Sequence, residues 1–250
     1  MRRVVTAVAD TLRGRLVAAF ARVPDYPADA ADRRTFTIAG LELPLRATVA
    51  IGLATFVLLF DYSRTFIPEG IQDLGRAAPA LRYQALERVI AFGLVPLAVV
   101  LLAFRDRPSR YGLTIGDWRW GLGLAVAGCA VMTPVVLTLT RIDAFREYYA
   151  VSSTNLADVL ATNALDLIPT EFLFRGFLMF TLVRAIGPVG VVVATMPFVF
   201  SHLGKPEIEL FSTLFGGLVY GWLDWRTGSI AWSAAAHIYI VTLLLVAVGP

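Results

Sequence analysis

The sequence predicts an all-α fold, a polytopic membrane helical bundle of about seven transmembrane helices preceded by an amphipathic helix. Three observations carry that prediction. Of 250 residues, 57% are hydrophobic and only 16% are charged, a balance too apolar for an ordinary soluble domain. Mean hydropathy is +0.69 over the whole chain. Apolar runs also recur at lengths near the ~20 residues that a membrane-spanning helix needs.

Charge and cysteine content narrow the function classes. The formal charge of +3 comes from 22 basic and 19 acidic residues, and Lys205 is the only basic residue that is not arginine. No basic block alternates with aromatics, so the partner expected is the membrane and not a nucleic acid. Cys129 is the single cysteine, which excludes an internal disulfide and any C-x-x-C redox or metal arrangement.

Residues 1–23 interleave Arg2, Arg3, Arg13, Arg15 and Arg22 with Val5, Val8, Leu12, Leu16 and Phe20 at helical spacing. That pattern predicts an amphipathic helix on the membrane surface. Asp10 interrupts its apolar run and no small-residue cleavage site follows, which argues against a signal peptide. Residues 24–34 read as a polar connector, so 1–35 forms an N-terminal segment and 40–250 a membrane domain. Spans are expected at 44–61, 86–104, 120–140, 161–184, 187–203, 207–224 and 229–248. The stretch 61–86, broken by Pro68, Gly70, Gly75 and Pro79, predicts a short surface helix or a re-entrant piece.

With the N-terminus inside, fourteen basic residues fall on the inner side and seven on the outer, which sets the orientation by the arginine bias. The five tryptophans, Trp118, Trp120, Trp222, Trp225 and Trp232, lie near span ends and read as an interfacial belt. Gly217 and Gly221 stand in G-x-x-x-G spacing, which fits close helix packing.

Against that apolar background, Glu171 and Arg175 stand out inside an expected span. A charge at bilayer depth costs roughly 2.5 to 3.5 kcal/mol, so such residues face the bundle interior and mark function by default. Four residues apart on a helix, the two share a face and can pair. At 1.5 Å per residue, Glu171, His202 and His237 lie roughly 20, 21 and 16 Å from the inner boundary. The only two histidines of the chain therefore share a layer with the buried carboxylate, on three separate helices.

Glu171-Phe172-Leu173-Phe174-Arg175-Gly176, then Phe198-Val199-Phe200-Ser201-His202, then His237 resemble three motifs of the CAAX-processing and bacteriocin-processing (CPBP) family of intramembrane proteases: E-E-x-x-x-R, F-x-x-x-H and H-x-x-x-N. His202-Leu203-Gly204-Lys205-Pro206 and the glycine-rich helix at 215–221 look like bacterial members. The resemblance covers about residues 160–245. It implies an endopeptidase of the bacterial cytoplasmic membrane in which a glutamate and a histidine activate water, while the other histidine and the asparagine hold the oxyanion. Carried over, Glu171 is the second glutamate, Arg175 the arginine, His202 the second-motif histidine and His237 the third-motif histidine. Thr170 stands at the first glutamate position and Val241 at the asparagine position.

Thr170 has no basic group for deprotonating water, and Val241 has no hydrogen to donate to an oxyanion. Asp166, one turn before Thr170, lies on nearly the same face and can substitute as a carboxylate; a role at the start of its helix is the alternative. Glu171, His202 and His237 could also form a three-ligand zinc site, although H-E-x-x-H is absent; the expectation is no cofactor. Two functions stand. One is an endopeptidase acting on a membrane-associated or lipid-modified peptide, and the other is a non-catalytic relative that binds or chaperones such a peptide. A transporter lacks support, because no internal repeat or pair of broken helices is visible.

Overall fold

The computed structural model describes residues 25–63, 68–74, 77–150 and 155–249. The expected amphipathic helix at 1–23 lies outside the described residues. Before the first span comes a feature absent from the sequence reading, a two-stranded antiparallel hairpin of β1 (Thr35–Ile38) and β2 (Leu41–Pro44). Ile38 pairs with Leu41, leaving Ala39-Gly40 as a two-residue turn with φ of 50° and 80°. Both turn residues are left-handed, which matches the twist of a tight hairpin and explains the glycine.

Helix α1 (Leu45–Ser63) runs from the hairpin to the opposite end of the bundle, and a one-turn helix α2 (Glu69–Gln72) lies beyond it. Helix α3 (Ala78–Ala103) returns. It is wound as a π-helix over Val89–Leu94 and Val99–Ala103, on either side of Pro96. A proline has no amide hydrogen to give, and the backbone around it takes up wider turns. A 3-10 turn (Pro108–Tyr111) leads to α4 (Trp118–Leu139), which Asp117 caps through the Trp120 amide. Helix α5 (Asp143–Tyr149) is short.

The functional segment is nearly continuous helix: α6 (Leu156–Glu171), a π-wound stretch (Phe172–Met179), and α7 (Phe180–Ile186). Asn155 starts it by accepting from the amides of Ala157 and Asp158. Helices α8 (Val189–Phe200), α9 (Glu207–Thr227) and α10 (Ala231–Val248) complete the bundle.

All seven expected runs are helical, but among the described residues only α1, α3, α4 and α10 are long and apolar enough to cross a membrane by themselves. The others depart for identifiable reasons. Helix α8 has 12 residues, while α6 and α9 carry charges inside the bundle, Glu171 in one and Asp224 and Arg226 in the other. The four qualifying helices expose leucine, valine and phenylalanine outward, for example Phe56, Leu102 and Val131, as a hydrocarbon solvent requires. The protein is an integral membrane bundle. Gly217 and Gly221 sit where a side chain would meet Thr195 and Val191 of α8 at 2.7 and 2.8 Å, so their spacing brings α9 onto α8.

The polar connector is more than a spacer. Asp32, buried, takes Arg46 Nη1 at 2.7 Å, Arg110 Nη2 at 2.8 Å and Arg184 Nε at 3.4 Å. Asp106 meets Arg46 and Arg110 at 3.1 and 2.8 Å, and Asp29 meets Arg110 at 2.6 Å. Burial works against the charged form of Asp32, but the hydrogen bond from Arg46, the Asp29 amide and the charges of Arg184 and Arg110 outweigh it and hold the carboxyl below its ordinary range. The Asp32 amide and then Arg110 hold Asp29 at about 2. These ion pairs fasten the connector to α1, the 3-10 turn and α7 at the hairpin end.

Candidate active site

The site begins where α6 gives way to the π-wound stretch. Pro169 removes one amide donor just before Glu171, and all eight residues from Phe172 to Met179 are buried. π-Winding inside a helix recurs at functional sites because it re-aims side chains that a regular helix would space evenly. Gly176 is required here, since a Cβ would stand 2.5 Å from the Phe172 ring and 2.8 Å from the Tyr111 carbonyl oxygen.

Glu171 is fully buried and lies 3.0 Å from Arg175 Nη1 through Oε2. The Arg175 guanidinium rests over the Phe198 ring at 3.7 Å and near the Tyr220 ring at 5.7 Å. The second Glu171 oxygen, Oε1, is 2.7 Å from His237 Nδ1. Because a carboxylate only accepts, Nδ1 carries the hydrogen and the ring's Nε2 is left for other work.

His202 lies just past the end of α8, with Nδ1 2.9 Å from the Phe198 carbonyl oxygen. A carbonyl also only accepts, so this ring too is hydrogenated at Nδ1, and in its neutral form Nε2 presents a lone pair. The Phe198 ring packs against both imidazoles, with centroids 4.6 Å from His202 and 6.1 Å from His237. It thus spaces the two histidines.

Both histidines line one cavity of about 440 Å³, together with Thr170, Val241, Asp166 and Arg88. Glu171 does not reach that cavity and stands behind His237, touching the site only through the imidazole. Thr170 faces the space instead, but its hydroxyl donates to the Asp166 carbonyl at 2.7 Å and is tied to its own helix. Of the residues singled out from sequence, His202 and His237 therefore meet across the cavity, and Glu171 and Arg175 form the buried layer that supports one of them.

Sequence reasoning missed part of that layer. Asp224 is fully buried in α9 and accepts from Ser233 Oγ at 2.7 Å; its signal was an acid flanked by Trp222 and Trp225 near a span end. The Arg88 cluster was missed as well. Arg88 grips Asp61 with two hydrogen bonds of 3.0 and 2.8 Å and Asp166 with one of 2.8 Å. No sequence pattern joins residues so far apart in the chain.

Among the described residues, no group of three or more His, Cys, Asp or Glu is arranged to hold a metal ion. Cys129 is a free, half-buried thiol in α4.

A bundle of apolar helices that buries an ion pair and turns two imidazoles toward a polar cavity defines the class: an integral membrane protein with a polar site inside its helices. Residues 152–243 match the family model of type II CAAX prenyl endopeptidase Rce1-like proteins, so the family suggested by the three motifs is the one found across that segment. That description names endopeptidases, and the match covers 92 of the 250 residues. No curated protein and no solved structure matches the chain.

Proposed function

We propose that the protein is an intramembrane endopeptidase that cleaves a membrane-associated or lipid-modified peptide by direct attack of water. The observation that carries this reading is the pair of histidines facing one cavity with Nδ1 of each committed to an acceptor. Nε2 of His202 accepts a hydrogen from the attacking water and orients it. His237, whose positive form is balanced by Glu171 2.7 Å away, donates from Nε2 to the carbonyl oxygen as negative charge develops there. Arg175 cannot act as a base and serves to hold Glu171. The reaction takes no cofactor and no metal. The protein sits in a bacterial cytoplasmic membrane, the source the motif resemblance suggests, with its N-terminus inside, the orientation the arginine distribution of the sequence supports.

The test is cleavage of an internally quenched peptide carrying an S-farnesyl cysteine, presented on phosphatidylcholine vesicles to the purified full-length protein with and without a chelator. Wild type cleaves it. His202→Ala and Glu171→Gln each lose about 100-fold or more in turnover, the range expected when an acid–base or oxyanion group is removed. Cleavage that survives both substitutions sinks the mechanism, and inhibition by the chelator that zinc reverses moves the assignment to a metal site. Thr170 and Val241, both facing the cavity, favour the non-catalytic peptide binder as the second reading. Its signature is peptide binding without turnover.

A further inference from the structure

We infer that Asp166 is the catalytic base of this site, the carboxylate that takes the proton from the attacking water. The inference rests on the peptidase reading above and assigns its missing group. A base has to touch the water, within about 2.6 to 3.2 Å, so it must face the cavity. Glu171 does not, and the Thr170 hydroxyl is tied to the Asp166 carbonyl.

Among the described residues, two carboxylates face the cavity, Asp61 and Asp166. Their surroundings differ in a way that separates their roles. Arg88 engages both oxygens of Asp61, Nε to Oδ1 at 3.0 Å and Nη2 to Oδ2 at 2.8 Å. The same guanidinium reaches only Oδ1 of Asp166, at 2.8 Å. Oδ2 of Asp166 has no partner among the described residues, and the Asp166 side chain is 26% exposed against 12% for Asp61. Arg88 thereby fixes the Asp166 carboxylate by one oxygen and leaves the other without a partner among the described residues, on a side chain that lines the cavity. Asp61 balances the arginine, so Asp166 does not carry the whole neutralisation of that cation.

Position completes the case. Asp166 precedes Thr170 by four residues on α6, which places the two side chains on one face about one turn apart. The carboxylate that position 170 lacks is thus supplied one turn nearer the start of α6, beside the same cavity as His202. In the reaction, water gives one hydrogen in a hydrogen bond to His202 Nε2 and the other, as a proton, to Asp166 Oδ2. Its oxygen bonds to the scissile carbonyl carbon while the C=O pair moves onto oxygen, facing His237. The C–N bond then breaks, its electron pair goes to nitrogen, and the Asp166 proton passes to the leaving amine. Peptide and water become an acid and an amine, and Asp166 is again a carboxylate.

The experiment compares kcat for Asp166→Asn, Asp61→Asn and the double variant Asp166→Asn with Thr170→Glu, using the farnesylated quenched peptide on vesicles. Asp166→Asn keeps the shape and loses at least about 100-fold in kcat. Asp61→Asn, which disturbs the Arg88 pairing at least as much, loses less than about ten-fold. Adding Thr170→Glu to Asp166→Asn restores at least about ten-fold by returning a carboxylate to the same face. Equal losses in the two asparagine variants overturn the assignment and make the pair a support for Arg88. Wild-type turnover that persists in Asp166→Asn overturns it too and leaves the peptidase reading standing. An inert wild type that becomes active with Thr170→Glu alone overturns both.

Discussion

Replacing Arg175 by methionine tests whether the buried ion pair organises the site. The methionine keeps most of the side-chain volume and removes the charge 3.0 Å from Glu171 Oε2. At that separation and an effective dielectric constant of about 20, the attraction is ~5.5 kcal/mol. The guanidinium also loses the Phe198 face 3.7 Å below it, a contact worth about 2 kcal/mol when desolvated. Against these losses stands the relief of desolvating an arginine, and breaking one side of a buried pair nets about 3 to 5 kcal/mol of destabilisation. For a chain of this size that corresponds to a fall in melting temperature of roughly 6 to 20 °C, read by circular dichroism in detergent. Because the penalty comes from a carboxylate left buried beside His237 alone, adding Glu171→Gln to Arg175→Met recovers a large part of it. An unchanged melting temperature with lost cleavage refutes this reasoning and assigns Arg175 a direct part in the chemistry. A double variant as unstable as the sum of its singles refutes the coupling.

Three further outcomes follow from the same geometry. Gly176→Ala places a methyl against the Tyr111 carbonyl and the Phe172 ring and lowers stability by about 1 to 3 kcal/mol, measured by thermal unfolding in detergent. Asp32→Asn weakens the contacts with Arg46, Arg110 and Arg184 and makes the connector cleavable by added protease at concentrations that leave wild type intact. The carboxyl of Asp29 lies at about 2 against an ordinary 3.8; a lowered value means its stabilisation is complete above about pH 4 and fades as pH falls towards 2. Acid titration of the same proteolysis reads that loss, and it is blunted in Asp29→Asn.

The helical runs, the buried charges and the two histidines were legible because each is a local deviation from a simple background, apolar residues at span length. The family resemblance added the order of the motifs. What the sequence did not show was orientation around a helix. Thr170 and Glu171 are adjacent in the chain yet point about 100° apart, and only the packing decides that Thr170 meets the cavity while Glu171 meets His237. The π-winding after Glu171 was equally hidden, since Gly176 in Phe172–Met179 lowers helical propensity without showing that the turns widen. The hairpin rests on two four-residue strands and an Ala39-Gly40 turn, too short a pattern to stand out beside a polar connector. Arg88 with Asp61 and Asp166 joins three helices, a relation that exists only once they pack.

The fastening at the hairpin end also orders events in time. Asp32 emerges early in synthesis, whereas its partner Arg184 follows 152 residues later. At about 5 to 20 residues per second, that interval is about 8 to 30 s, during which α1, α3, α4 and α6 are all made. Only a chain whose helices pack in this order brings Arg184 to Asp32. The aspartate therefore acts as a late clasp, closing on its third arginine only after the helices between them have been made.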